Sequence, residues 1–428
     1  MDLSLWSKVI EFLIMSAKIL VLVILPPKIN ILESDIAGRP VFDYLLESLN
    51  RCDEAEVRIA ADGHTLPHVW LEKYPNISEF HIAELQAAKQ ADGGLLAIDA
   101  RAWLSHSAVM DIFTRTRQAT NCLRIVEASK NISSHREIMT LAFYFPPKQV
   151  GLELFNRAYT NAEQVFGQML GSEALADANV INCFDLDALN PPLLIASYVD
   201  LAVIERRLLL ERAIAVMQQG VRIRDPENVY IRGELICGSD VVIEINVIIE
   251  GHVVLGNGVR IGANSILRNS RIGENTSINP FSLVEHATIG SNSFIGPYGR
   301  IRPGSVISDD VQIGNYVEIK NSQVGAGSRI NHHTFIGDAV LADQVTIGAG
   351  TITCNHDGVG VNQTVIGRGA YIGSGCNLVA PLRIGEDAVI GAGSTITRDV
   401  PAAKLTLTRQ PQTTIDNWQG PKTRRKQQ

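Results

Sequence analysis

The stretch RINHHTFIGDAVLADQVTIGAGTITCNHDGVGVNQTVIG, residues 329–367, decides the fold of this chain. Its aliphatic residues recur on a beat of six. The beat fails for about a dozen residues around TCNHDGVG and resumes at Ile366. Outward from it, the same period holds at Ile295, Ile301, Ile307, Ile313 and Ile319, and at Ile366, Ile372, Leu378, Ile384, Ile390 and Ile396. Earlier hexads at Ile231, Cys237, Ile243, Ile249, Leu255 and Ile261 carry it back to residue 226. Self-similarity at this period predicts a parallel β-helix. Each hexad is a short strand and a corner, the aliphatic residue points inward, and Gly or Asn supplies the backbone freedom of the corner. Three hexads make one triangular coil, coils pair about 4.8 Å apart, and the stacked Ile and Val side chains form a continuous core.

The first half has a different texture. ILVLVIL at 19–25, GLLAID at 94–99 and LRIVEA at 123–128 read as buried strands, whereas VFDYLLESLNRC and VGLELFNRAYTNAEQVFGQML have helical spacing. Alternation of this kind predicts an open α/β sheet layered with helices. YVDLAVIERRLLLERAIAVMQQGV, 198–221, reads as a long amphipathic connecting helix. With 428 residues, the chain is long enough for a domain plus a repeat array. The expected organisation is an α/β domain over 1–197, the helix over 198–222, the β-helix over 223–404, and an arm and basic tail over 405–428.

Composition narrows the function classes. A net charge of −7 gives no general footprint for nucleic acid. The tail PKTRRKQQ is either a solvated terminus or a contact for a phosphorylated ligand. Six scattered cysteines without a CxxC pair fit a reducing compartment, and a cytoplasmic location is expected. The apolar run at 9–25 is interrupted by Lys18 and is short for a membrane span, so it reads as a helix followed by a strand.

A coil of 18 residues makes sequence distance meaningful. Arg302 and Lys320 are 18 apart and stack on one face. Like charges so placed destabilise unless an anion lies between them or solvent screens them. Ser374 and Ala392 share the same spacing and leave room for a groove. Consecutive strand residues face opposite sides, so at most one of His332 and His333 can share a face with Arg302 and Lys320. His252, His286, His332 and His356 keep no common register, which argues against a zinc site.

The segments RIRPGSVISDDVQIGNYVEIKNS, HHTFIGDA, IGAGTITCNHDG, SGCNLVAPLRIG, IGAGSTITRDVP and TRQPQT resemble the carboxy-terminal half of a known family. It is the bifunctional bacterial N-acetylglucosamine-1-phosphate uridylyltransferase/glucosamine-1-phosphate N-acetyltransferase family. The resemblance implies a nucleotidyltransferase-like α/β domain followed by a left-handed parallel β-helix, assembled as a homotrimer with pockets between subunits. It implies acetyl transfer from acetyl-CoA, as co-substrate, to an amino-sugar phosphate. His332 matches the general base, a role suited to imidazole. Arg302 and Lys320 match residues that grip the sugar phosphate, and Asn355 matches one that reaches the acceptor. Ala349, Ser374, Ala392 and Arg409 match acetyl-CoA contacts.

Departures accompany the match. Phe335 stands where relatives have tyrosine, Thr346 where they have asparagine, Val361 where they have lysine, and His356 where they have tyrosine. In the first half, ILVLVIL runs into PPKINILESDIAGRP, with no Gly-rich phosphate loop. Asp99 and Asn190 fall near the family's magnesium ligands, so magnesium is expected only if that domain is active. The expected activity is N-acetyl transfer with uridylyl transfer lost. The alternatives are a non-catalytic β-helix assembly protein and an acyltransferase with a different acceptor.

Overall fold

A computed structural model of the chain describes residues 19–25, 32, 35–37, 39–53, 55–60, 68–80, 94–120, 122–127, 139–146, 178–182, 186, 192–408, 410–416 and 418. Two compact units divide at Leu208–Leu209, within the helix Tyr198–Gln218.

The first unit is built on a mixed seven-stranded sheet. Its strands, in spatial order, are Asn179–Asn182, Leu123–Glu127, Met139–Phe145, Leu95–Asp99, Ile19–Ile24, Ala55–Ala60 and Ile77–Phe80. Met139–Phe145 runs antiparallel to both of its neighbours, and the other pairs are parallel. The strands expected at 19–25, 94–99 and 123–128 are all present, and Val21 and Val23 are fully buried. Helices Val41–Asn50 and His106–Gln118 bury Phe42, Leu45, Leu46, Leu49, Val109 and Ile112 in the same core. The latter is capped at its amino end by Ser105, whose hydroxyl accepts the Ala108 N–H. The helical expectations at 9–18 and 150–170 lie outside the described residues, as do most of the segment that follows the first strand and the basic tail.

In the second unit one face is an eleven-stranded parallel sheet, from Arg222–Ile223 to Leu405–Thr406. The other two faces form one seventeen-stranded parallel sheet, from Tyr230–Cys237 to Thr395–Ile396. Together they make the left-handed parallel β-helix. The predicted inward residues Ile295, Ile301, Ile307, Ile313 and Ile319 are at most 1% exposed, which settles the register of the hexads. Each such burial contributes about 1.5–3 kcal/mol. Ala213 and Val216 of the helix join this core, and Arg212 Nη1 donates to the Ile231 carbonyl. Cys237, expected to point inward, is only partly buried; it lies on the first coil, which has a β neighbour on one side only.

The coils depart from a uniform 18. Arg300 pairs with Glu318, Glu318 with Phe335, and Phe335 with Ile352, so the repeat changes from 18 to 17 residues. The cause is the corner. Pro303–Gly304 uses two residues where Asn321 and Asp338 turn the chain alone, at φ 45° and 50°. Ile352 then pairs with Asn377 across the interruption, where His356 and Val361 bridge a small antiparallel loop.

Corner composition is also wider than Gly and Asn. One corner carries Asn246, Asn264, Phe281, Tyr298, Tyr316 and His333, all at positive φ, on successive coils. The last four rings stack at centroid separations of 5.0 Å. Ring stacking offsets the backbone preference against bulky residues at this conformation.

Candidate active site

His332 closes the strand Arg329–His332 of the eleven-stranded sheet, in register with Asn315 one coil earlier. Its side chain is exposed, and Nδ1 lies 2.7 Å from Asn315 Oδ1. With the amide oxygen accepting, Nδ1 donates, and the neutral ring then carries its lone pair on Nε2. Gly350 N–H donates to the His332 carbonyl, Gly375 N–H to that of Ala349, and Gly393 N–H to that of Ser374. Asn315, His332, Ala349, Ser374 and Ala392 therefore form one column along a corner. Ala349 is half-buried; Ser374 and Ala392 are exposed. The structure brings four of the expected site residues together in this column. Arg409 lies outside the described residues.

A second cluster lies on the seventeen-stranded sheet. Lys320 Nζ donates to Asp338 Oδ2 at 3.3 Å, Asn321 Nδ2 to Oδ1 at 2.7 Å, and Asn355 Nδ2 also to Oδ2. One coil earlier, Arg302 Nη1 donates to Glu318 Oε1 at 2.7 Å. Burial pushes the Asp338 carboxyl up, but the hydrogen bonds from Asn321, Asn355 and Lys320, with the charge of Lys320, hold it below the usual carboxylate range. The stacked cations thus need neither an anion nor solvent between them: each meets a carboxylate of this chain. Spacing arithmetic on the cations alone missed Glu318 and Asp338, although Asp338 lies 18 residues after Lys320 and 17 before Asn355.

Neither histidine shares a face with Arg302 and Lys320. His332 ends a strand of the other sheet, and His333, at φ 46°, is the corner itself. The chain then crosses one face from Thr334 to Gly337, about 10 Å of strand, before turning at Asp338. The two clusters lie at opposite edges of that face. Between them Phe335 points outward and is half-buried, with Ile352 above it in register and 43% exposed. A Cβ on Gly337 would come within 2.6 Å of the Phe335 ring and 2.9 Å of Asn355 Nδ2, so glycine is what lets these two side chains approach.

The remaining departures sit around this face. Thr346 pairs with Arg329 and Tyr371 on the eleven-stranded sheet. Val361 is 54% exposed in the interrupting loop, where His356 Nδ1 accepts the Gly358 N–H. Asp357 braces that loop. Hydrogen bonds from the Gly360 and Val359 amides, then from Asn362, lower its carboxyl to about 2. His252 meets Glu234, and His286 lies beside Asn269. Among the described residues no three His, Cys, Asp or Glu side chains are placed to hold a metal ion.

In the first unit Asp99, at the end of Leu95–Asp99, is buried. The Arg101 guanidinium donates to both of its oxygens, at 3.0 and 2.7 Å, and the Arg101 amide donates to Oδ1 at 2.9 Å. Asn190 lies outside the described residues. For Asp99 to meet a cation, the Arg101 guanidinium would have to swing aside.

A family model described as "Bacterial transferase hexapeptide (six repeats)" matches residues 363–398, and one described as "GMPPB C-terminal domain" matches 228–315. The "Bifunctional protein GlmU" of Herminiimonas arsenicoxydans is 42% identical over 302 residues, covering 70% of this chain and 67% of that one. Its namesake in Janthinobacterium sp. (strain Marseille) is 47% identical over 225 residues, covering 53% and 50%. Matches thus span about half to two thirds of the relatives' lengths. A solved Arabidopsis UDP-N-acetylglucosamine acyltransferase is similar at 19% identity and a TM-score of 0.36, covering 44% of this chain and 69% of that one; a likeness this low adds nothing to the fold described above. No described helix is long and apolar enough to cross a membrane.

Proposed function

The chain belongs to the bifunctional GlmU family, and on that footing we propose that its β-helix is an N-acetyltransferase moving acetyl from acetyl-CoA to an amino-sugar phosphate, glucosamine 1-phosphate first among candidates. The column Asn315–His332–Ala349–Ser374–Ala392 carries this reading. Asn315 occupies Nδ1 of the base, Nε2 stays available, and small residues leave the coils above it open to a long, thin donor. Nε2 takes a proton from the acceptor amine as its nitrogen bonds to the thioester carbon. The tetrahedral intermediate collapses, the C–S bond breaks, and coenzyme A departs as a thiolate that takes up the proton.

Arg302 and Lys320, at the other edge of the face, hold the acceptor phosphate, and Asn355 orients the sugar. The carboxylates of Glu318 and Asp338 keep the cations extended before the phosphate arrives. The face between the edges is about 10 Å wide, a span suited to a monosaccharide phosphate met by long side chains. Arg409, the homotrimer and a cytoplasmic setting belong to the same proposal. Uridylyl transfer is absent from it, because Asp99 is spent on Arg101.

Thiol release from acetyl-CoA with glucosamine 1-phosphate tests the reading. Turnover that disappears in His332→Ala supports it; turnover unchanged in that variant removes His332 from the mechanism. One observation favours a second reading, acyl transfer to another acceptor: Phe335 and Ile352 give the acceptor face an apolar floor. Turnover confined to a less polar amine or hydroxyl in an acceptor screen would select it.

A further inference from the structure

The column of corner side chains beside His332 ends abruptly. Asn246, Asn264, Phe281, Tyr298, Tyr316 and His333 each put a planar group at this corner, and the rings are nearly parallel, with interplanar angles of 6°, 11° and 21°. The next three coils place Gly350, Gly375 and Gly393 there, at φ 74°, 69° and 72°. A Cβ on Gly350 would meet nothing nearer than Gly375 at 3.8 Å, and one on Gly393 would meet nothing within 4 Å. The corner positions of the next three coils therefore put no side chain above the His333 ring. Tyr316 supports the ring from below. Its neighbour His332 presents Nε2 on the same rung, with the Ala349–Ser374–Ala392 column directly alongside.

We propose that the open face of the His333 imidazole is the stacking floor for the planar thioester and first amide of the acyl donor, so that His333 positions the donor while His332 acts on the acceptor. This rests on the function proposed above and adds a residue to it. Six planar groups in the column set the direction of stacking, and the donor's planar end supplies the seventh. A planar group one coil above the ring lies beside Gly350, where any side chain would displace it. Glycine there does more than relax the backbone: Asn, Phe, Tyr and His occupy the same conformation on the coils below.

Calorimetric titration of acetyl-CoA into the full chain tests this, with His333→Ala, His333→Phe, Gly350→Asn and Gly350→Tyr as variants. Loss of one stacking partner predicts binding about 3- to 10-fold weaker in His333→Ala. His333→Phe should restore affinity to within about twofold, and weaker binding in His333→Ala with an unmoved thermal midpoint separates donor stacking from a merely structural role. Gly350→Tyr should weaken binding at least as much as His333→Ala. Gly350→Asn, the residue used at 246 and 264, keeps the test available if the tyrosine variant does not fold. Wild-type affinity in His333→Ala, or in a folded Gly350 variant, overturns the proposal, as does failure of the wild type to bind acetyl-CoA. Donor binding that follows this pattern without transfer to any acceptor leaves the stacking floor standing and defeats the proposed reaction instead.

Discussion

Asp99 and His332 make an instructive pair. Each ends a strand, and each was expected from the sequence at or near a functional position. Asp99 is buried, and both its oxygens are satisfied by Arg101 two residues away. His332 is exposed and, among the described residues, is held through Nδ1 by Asn315 seventeen residues away. The difference lies in how completely neighbours satisfy a polar group. A buried carboxylate needs a partner, and a local guanidinium meets that need. A surface imidazole needs only orientation to remain reactive.

The contrast can be broken most severely at His332. His332→Ala should lower acetyl transfer by about 10²- to 10⁴-fold, measured as thiol release, with the thermal midpoint essentially unmoved because the side chain is exposed. The opposite edge is tested by Arg101→Ala. Leaving the buried Asp99 carboxylate unpaired should lower stability by about 1–3 kcal/mol in denaturant unfolding. The freed carboxylate should also permit manganese binding detectable by electron paramagnetic resonance; a variant that stays metal-free would show that more than Arg101 separates this unit from nucleotidyl transfer.

Smaller effects sharpen the picture. Asn315→Ala removes the acceptor that sets the imidazole tautomer and should reduce kcat about 10-fold with the KM for acetyl-CoA unchanged; a change in KM alone would place Asn315 in donor binding. The smallest effect is the pH dependence of Asp338. Its carboxyl is held below the usual range in the folded chain, so its contribution is present above the unfolded value near 3.8 and is lost as pH falls through the lower folded value. Asp338→Asn should lower stability near neutrality by that contribution and flatten the profile below about pH 4.

Much of the β-helix was legible because its signal is local. An Ile every six residues sees the same interior whatever surrounds it, and the predicted inward residues from Ile295 to Ile319 are all buried. The break at TCNHDGVG was legible for the same reason. Contacts between coils were harder to read. Asn315 is 17 residues from His332, Asp338 18 from Lys320, and Asn355 17 from Asp338. A fixed spacing slips by one wherever a single residue turns a corner that elsewhere takes two. The aromatic column was hidden too, since Phe281, Tyr298 and Tyr316 are poor candidates for left-handed corners until stacking is taken into account.

From residue types and their period follow the β-helix, its core, the α/β sheet before it, and the stacking of Arg302 on Lys320, while the family resemblance supplied the rest of the expected site. That information suffices because burial of an aliphatic residue every six positions depends little on distant context. What each of those side chains meets was decided by the tertiary structure: Glu318 and Asp338 on the cations, Arg101 on Asp99, Asn315 on one nitrogen of His332, and a corner that moves His332 to a different face from Lys320. Such choices turn on hydrogen bonds of about 3 Å, and one residue more or less in a corner is enough to make or lose them.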